Sequence, residues 1–129
     1  MRFTLQTGST LNYVRAYSAS EVVIGDRIIR SSVIVTASEL VTDWPPRSVS
    51  ELREEHLATV FALAAEVVLL GTGHRQEFPS ASILATAARA GIGLEVMDTA
   101  AACRTYNVLV QEERRVAAAL MLSAGAGPG

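Results

Sequence analysis

Three apolar runs constrain this chain more than any other feature: "EVVLLG" (66–71), "IGLEVM" (92–97) and "VAAALML" (116–122). The first does not alternate with polar residues and ends in glycine, which suits a strand covered on both faces, and the second reads as another buried strand. Between them Pro79 opens "SASILATAARA", a helix that Gly91 closes with a left-handed cap. Asp98 then caps a helix that starts at Thr99 and ends near Arg115, and the third run is the last strand. Strand, helix, strand, helix, strand with connections of this length builds a parallel or mixed sheet.

The part before this unit is β-rich. "LNYVRAY", "EVVI" and "RIIRSSVIVT" lie between Leu11 and Thr36, with Gly25-Asp26 as a hairpin signal, and they predict a three-stranded meander. "DWPPRS" breaks the regularity, because neither proline can donate to a ladder. Ser48 and Glu51 have the spacing of a capping box, and Leu52, Leu57, Val60, Phe61 and Ala64 continue at helical spacing, so a helix is expected from about Ser50 to Ala64. The fold class is therefore α/β: a layered domain with a central mixed sheet, an N-terminal β-meander, then strand-helix-strand-helix-strand. Residues 1–122 read as one domain and 123–129 as a flexible tail.

Composition narrows the function. With 129 residues, half of them apolar, the chain can bury a core of its own. A net charge of -2 offers no field to attract a phosphate backbone, so nucleic acid is not expected as a partner. One cysteine, Cys103, forms no internal disulfide, and with two histidines it is a poor inventory for zinc; no metal and no cofactor are expected. "MRFTLQTGSTLNYVR" reads as neither a secretory signal nor a targeting presequence. The apolar stretch 57–71 is cut by Glu66 and too short for a membrane span. The expectation is a soluble, cytoplasmic protein whose apolar composition permits a homodimer.

Ligands of open α/β sheets collect at the carboxyl ends of parallel strands. Here that rule selects a rim of Gly71, Thr72, Gly73, His74, Arg75, Arg104 and Asn107, with Met97, Asp98 and Thr99 beside it. "GTGHRQEF" invites a phosphate-loop reading, but Gln76 stands where the dinucleotide fingerprint needs a third glycine and the Gly-Lys-Ser/Thr of the nucleotide loop is absent, which favours a tight turn. Asp98 could act as a general base, although its place before a helix makes capping the simpler task. Cys103 could be a nucleophile only with a depressed pKa. It lies in the second turn of its helix among alanines, where cysteine packs as a small hydrophobe. Asn107 is a poor helix-interior residue unless its amide is satisfied. It is expected to latch loop carbonyls near residues 71–75, with ligand contact as the other reading. His56 reads as a solvated or edge histidine and Trp44 as a loop anchor.

"VVLLGTGHRQEFP", "GIGLEVMDTAAACRTYNVL" and "ERRVAAAL" together resemble a small family of domains of unknown function that includes a mitochondrial respiratory complex I assembly factor and many bacterial and archaeal relatives. The resemblance covers roughly residues 10–122. It implies a layered α/β domain with a central mixed sheet, no established reaction, and action through protein contacts in the mitochondrial relatives. No catalytic role is carried onto Gly71, Thr72, Gly73, Asp98, Arg104, Thr105, Tyr106 or Asn107. Two functions follow. The first is a non-catalytic protein-binding or assembly module with a protein partner; the alternative is a small-molecule-binding domain or enzyme using the crevice at 71–75 with Arg104 and Asn107.

Overall fold

The structure, a computed structural model, describes residues 11–123. In chain order it contains β1 (Val14–Tyr17), β2 (Val22–Ile24), β3 (Arg27–Ile29), β4 (Val33–Thr36), β5 (Leu40–Val41), a 3-10 turn at Val49–Glu51, α1 (Glu54–Phe61), β6 (Val67–Gly71), α2 (Ala81–Arg89), β7 (Gly93–Met97), α3 (Thr99–Gln111) and β8 (Val116–Leu120). A five-stranded mixed sheet has the order β5-β4-β8-β6-β7, and β1-β2-β3 form a separate antiparallel sheet. β8 runs parallel to β6, and β6 to β7, whereas β4 runs antiparallel to β8 and to β5.

The α/β class and the mixed sheet are as the sequence predicts. Several boundaries differ, each for a local reason. "RIIRSSVIVT" is two strands in two sheets. The break falls at Ser32, which is 1% exposed: its hydroxyl accepts the Leu122 amide at 3.0 Å and its carbonyl accepts the Trp44 amide at 2.9 Å. A buried serine with both groups committed makes a corner there. The expected helix from Ser50 to Ala64 begins only at Glu54. Ser48 makes no side-chain cap; the Glu51 carboxylate instead accepts the Arg47 amide at 2.9 Å. The working cap is His56, whose Nδ1 accepts the Arg53 amide at 3.0 Å, so this residue is more than an edge histidine. α3 stops at Gln111 rather than near Arg115, because the chain turns through Glu113 in the left-handed region, at φ 64°. The tail at 124–129 lies outside the described residues, while Ser123 donates its amide to Ala19 at 2.9 Å.

β8 explains why the sheet holds two helical layers apart. Val116, Ala118, Leu120 and Leu122 join the core under α3 and the small sheet, with Cys103, Tyr106, Val14 and Val22. Ala117, Ala119 and Met121 join the other core, with Leu57 and Val60 of α1, Ile83 of α2 and Trp44. Strand periodicity sends neighbours to opposite faces, so a run that looked uniformly apolar is a two-sided strand with a different core on each side. Trp44 is 2% exposed and donates its indole N–H to the His56 carbonyl at 3.2 Å, the anchor its sequence position suggested. β7 corrects the expectation of a buried strand: it is a free edge, with Gly93 and Glu95 exposed.

Gly71 is where helix and sheet approach most tightly. A Cβ there would lie 3.0 Å from the Thr99 Cα, 3.1 Å from its Oγ1 and 3.2 Å from the Ala102 Cβ. Backbone cannot yield as a flexible side chain can, so Gly71→Ala should lower stability by about 1–3 kcal/mol, the usual cost of overpacking. Urea unfolding checks this, and an unchanged midpoint would show that the helix has room to lift.

Candidate functional site

β6, β7 and β8 end level with one another, Gly71 being in register with both Met97 and Leu120. The loops that follow these strands therefore start at one end of the sheet, and Thr99, the first residue of α3, ties them together. Its hydroxyl donates to the Met121 carbonyl at 2.9 Å and accepts the Gly73 amide at 2.8 Å, while its own amide donates to the Gly73 carbonyl at 3.0 Å. Thr72 is a second hub. Its amide donates to the Met97 carbonyl at 2.9 Å; its hydroxyl lies 2.6 Å from the Arg75 carbonyl and accepts the Glu77 amide at 3.2 Å.

This wiring decides the glycine loop. A phosphate cradle needs free backbone amides. Those of Thr72 and Gly73 are spent inside the protein, and Gly73 serves the turn through its φ of 96°. The tight-turn reading holds. Asp98 caps α3, its Oδ1 accepting the Ala101 amide at 2.8 Å.

Cys103 is fully buried, and burial pushes its thiol up to about 12, against a smaller opposing pull from Arg104. A thiolate at neutral pH is thereby disfavoured. Tyr106 is likewise sealed; burial, and secondarily Tyr13, raise its hydroxyl above the usual phenol value. That hydroxyl donates to the Asn12 carbonyl at 2.9 Å.

Asn107 is a latch, but not the expected one. Its Oδ1 accepts the Val14 amide and its Nδ2 donates to the Val14 carbonyl, both at 2.9 Å. The amide thus acts as an extra peptide unit alongside β1 and fastens the small sheet to α3, rather than holding the 71–75 loop. The rim as placed brings Gly71, Thr72 and Gly73 against Thr99 and leaves His74, Arg75 and Arg104 exposed. None of those three side chains has a carboxylate within ion-pair distance among the described residues. No cluster of three metal-ligating side chains occurs among the described residues. Sequence reasoning missed Thr99 as the junction; the available signal was a β-branched hydroxyl at the first helical position directly after a strand end. It also missed a cleft of about 210 Å³ at the opposite end of the sheet, between residues 36–39, 63–65 and 114–116. There Glu66 receives Arg114 Nε at 3.3 Å and the Arg115 amide at 3.4 Å.

With this geometry in place, the comparison with known proteins is specific. Residues 14–121 match the family described as "Protein of unknown function (DUF498/DUF598)". The chain belongs to this family. An NMR structure of a Xanthomonas campestris protein superposes with a TM-score of 0.82 at 42% identity, covering 92% of this chain and 89% of that one. A Bordetella pertussis protein, described as an Mth938-like domain, gives 0.78 at 27% identity over 97% of this chain and 94% of that one. NADH dehydrogenase [ubiquinone] 1 alpha subcomplex assembly factor 3 of Xenopus tropicalis is 32% identical over 112 residues, 84% of this chain. The match spans 60% of that relative's length. No helix among the described residues is long and apolar enough to cross a membrane.

Two outcomes test the sealed thiol. A thiol reagent should label native Cys103 no faster than the protein unfolds, with full labelling in denaturant. The raised thiol also sets a pH dependence. Below the ordinary thiol value of 9.0 both states are protonated; above it the unfolded chain ionises while the folded one does not until about 12, so stability falls across that window. Cys103→Ala should flatten the fall measured by urea unfolding, leaving the part due to Tyr106.

Proposed function

We propose that this chain is a non-catalytic protein-binding module of the assembly-factor kind, acting in the cytoplasm through the exposed half of the rim. The observation that carries the reading is Phe78, 63% exposed in the segment between β6 and α2, a few residues after His74 and Arg75. An exposed phenyl ring in the same loop as Arg75, which has no carboxylate within ion-pair distance among the described residues, has the composition of an interface anchor, since aromatic residues and arginine are enriched at binding hot spots. Arg104, exposed in the second turn of α3, adds a further cation. Gly71, Thr72 and Gly73 support the loop from below, and Asn107 holds the neighbouring layer.

The similarity to a relative named as an assembly factor, across 84% of this chain, favours a protein partner over a substrate. Mild overall acidity argues against nucleic acid, and the lone thiol, without a disulfide partner, suits a reducing compartment.

Native affinity purification of the full chain tests the reading. It should return a protein in stoichiometric amount, and Phe78→Ser with Arg75→Glu should reduce its recovery at least tenfold without altering the circular dichroism spectrum. Absence of a stoichiometric partner, with a small metabolite raising the melting temperature instead, would transfer the rim to the small-molecule alternative.

A further inference from the structure

The free edge of the large sheet has an unused hydrogen-bonding pattern. Because Thr72 donates to the Met97 carbonyl and β6 runs parallel to β7 in continuous register, Gly93, Glu95 and Met97 turn their backbone groups toward β6. Leu94 and Val96 must then face outward, together with the Ile92 carbonyl. Two outward groups are already taken: Val96 O accepts Gln76 Nε2 at 2.9 Å, and Ile92 N donates to the Ala87 carbonyl at 3.2 Å. The Leu94 amide and carbonyl, the Val96 amide and the Ile92 carbonyl have no partner among the described residues.

We infer that β7 pairs antiparallel with β7 of a second copy of this chain about a two-fold axis at Leu94, joining the two large sheets edge to edge. In that register the two Leu94 residues exchange both bonds, and each Val96 amide meets the Ile92 carbonyl of the other copy. The complementary half of each outer rung would need Ile92 N and Val96 O, the two groups already occupied internally. The Leu94 rung is open on both copies, and at each outer rung the Gln76 side chain has to swing off Val96 O as the partner strand approaches. Side chains agree: Leu94 meets Leu94, Val96 meets Ile92, and Glu95 stands opposite Gly93. A two-fold at Glu95 would set two carboxylates directly opposite each other, which disfavours it. Glu95 therefore selects the register, where a lone edge charge would otherwise serve only to discourage pairing.

The helix above the edge is built to the same symmetry. Ser82 of α2 reaches Glu54 of α1 at 3.4 Å, so that side of α2 faces its neighbour helix. Helical geometry then directs Ala81, Leu84 and Ala88 the other way, toward the free edge, and all three are exposed, Leu84 by 37%. Pairing β7 to β7 brings this apolar side of α2 against its counterpart, and alanines allow close approach. None of the three other edges offers this: β1 has its Val14 amide and carbonyl taken by Asn107, β5 is two residues long, and β3 is three residues long with exposed Arg27 and an ion pair from the following Arg30 to Glu21. A self-complementary surface of this kind closes as an isologous dimer.

Sedimentation equilibrium of the full chain at about 100 μM, a range suited to a modest interface, should give twice the 13.7 kDa chain mass. Val96→Pro removes an outward amide that no internal bond uses, and Leu84→Arg places a charge at the two-fold helix contact; each should weaken association at least tenfold, while Val108→Arg on the outer face of α3 should not. Cysteines test the register: a mixture of Gly93→Cys and Glu95→Cys chains should oxidise to a mixed covalent dimer more readily than either alone. Should Val96→Pro fail to fold, Leu84→Arg decides. A monomeric native chain, or a dimer indifferent to Leu84→Arg, overturns the proposal.

Discussion

The seating of α3 on β6 and β8 governs what the rest of the molecule can do. At Gly71 the strand and the helix are so close that no side chain fits between them, and Ala102 and Cys103 fill the next layer with small volumes. Water is excluded from such a contact. Cys103 consequently keeps its proton, and the Tyr106 hydroxyl must find its acceptor within the protein, which it does at the Asn12 carbonyl. A helix held at ordinary distance would have left the thiol in a softer, more accessible setting. Tight packing rather than chemistry is what the small residues of this segment provide.

The same proximity explains the behaviour of the strand ends. Carboxyl ends of parallel strands bind ligands because their loops diverge and leave polar backbone exposed. In this protein the Thr99 hydroxyl lies among three strand ends and exchanges bonds with Gly73 and Met121, so the loops converge. Buried polar groups are tolerated only when paired, and here the pairing consumes the Thr72 and Gly73 amides at the start of the loop. Exposed at this end are the side chains of His74 and Arg75, the Phe78 ring and the Arg104 guanidinium. Such groups suit contact with a broad surface better than enclosure of a small molecule.

The architecture was legible in the sequence because it rests on period. Unalternating runs marked β6 and β8, Gly91 and Asp98 marked helix ends, and Gly25-Asp26 marked the β2–β3 turn, whose Gly25 has φ 64°. Lateral position was not legible. β7 has nearly the apolar content of β6, and only the sheet order shows it to be an edge. The break at Ser32 was hidden for a related reason: two serines inside a β-rich run read as strand, and the bonds that make one of them a corner come from Leu122 and Trp44, distant in sequence. Within the candidate site, Asp98 and the glycine turn were readable because their partners are local. The partner of Asn107 lies 93 residues away, so its need for hydrogen bonds could be foreseen but not where they would go.

Asn107 also accounts for how the small sheet is joined to α3. The β1-β2-β3 sheet is too small to stand alone, since a three-stranded ribbon needs a covered apolar face. Val14, Val22, Ile24 and Ile29 supply that face against α3 and the large sheet, but burial alone would not fix the angle at which they lie. Hydrogen bonds do. Val14 faces β2 on one side; its amide and carbonyl on the other are taken together by one side-chain amide, and Asn12 next to it bonds the Thr36 carbonyl through Nδ2 at 3.0 Å. An asparagine inside a helix sacrifices some propensity, of the order of half a kcal/mol, whereas leaving two part-buried backbone groups unpaired would cost about 1–3 kcal/mol each. The balance favours the amide at this position, and it makes Asn107 a residue of the layer joint rather than of the rim.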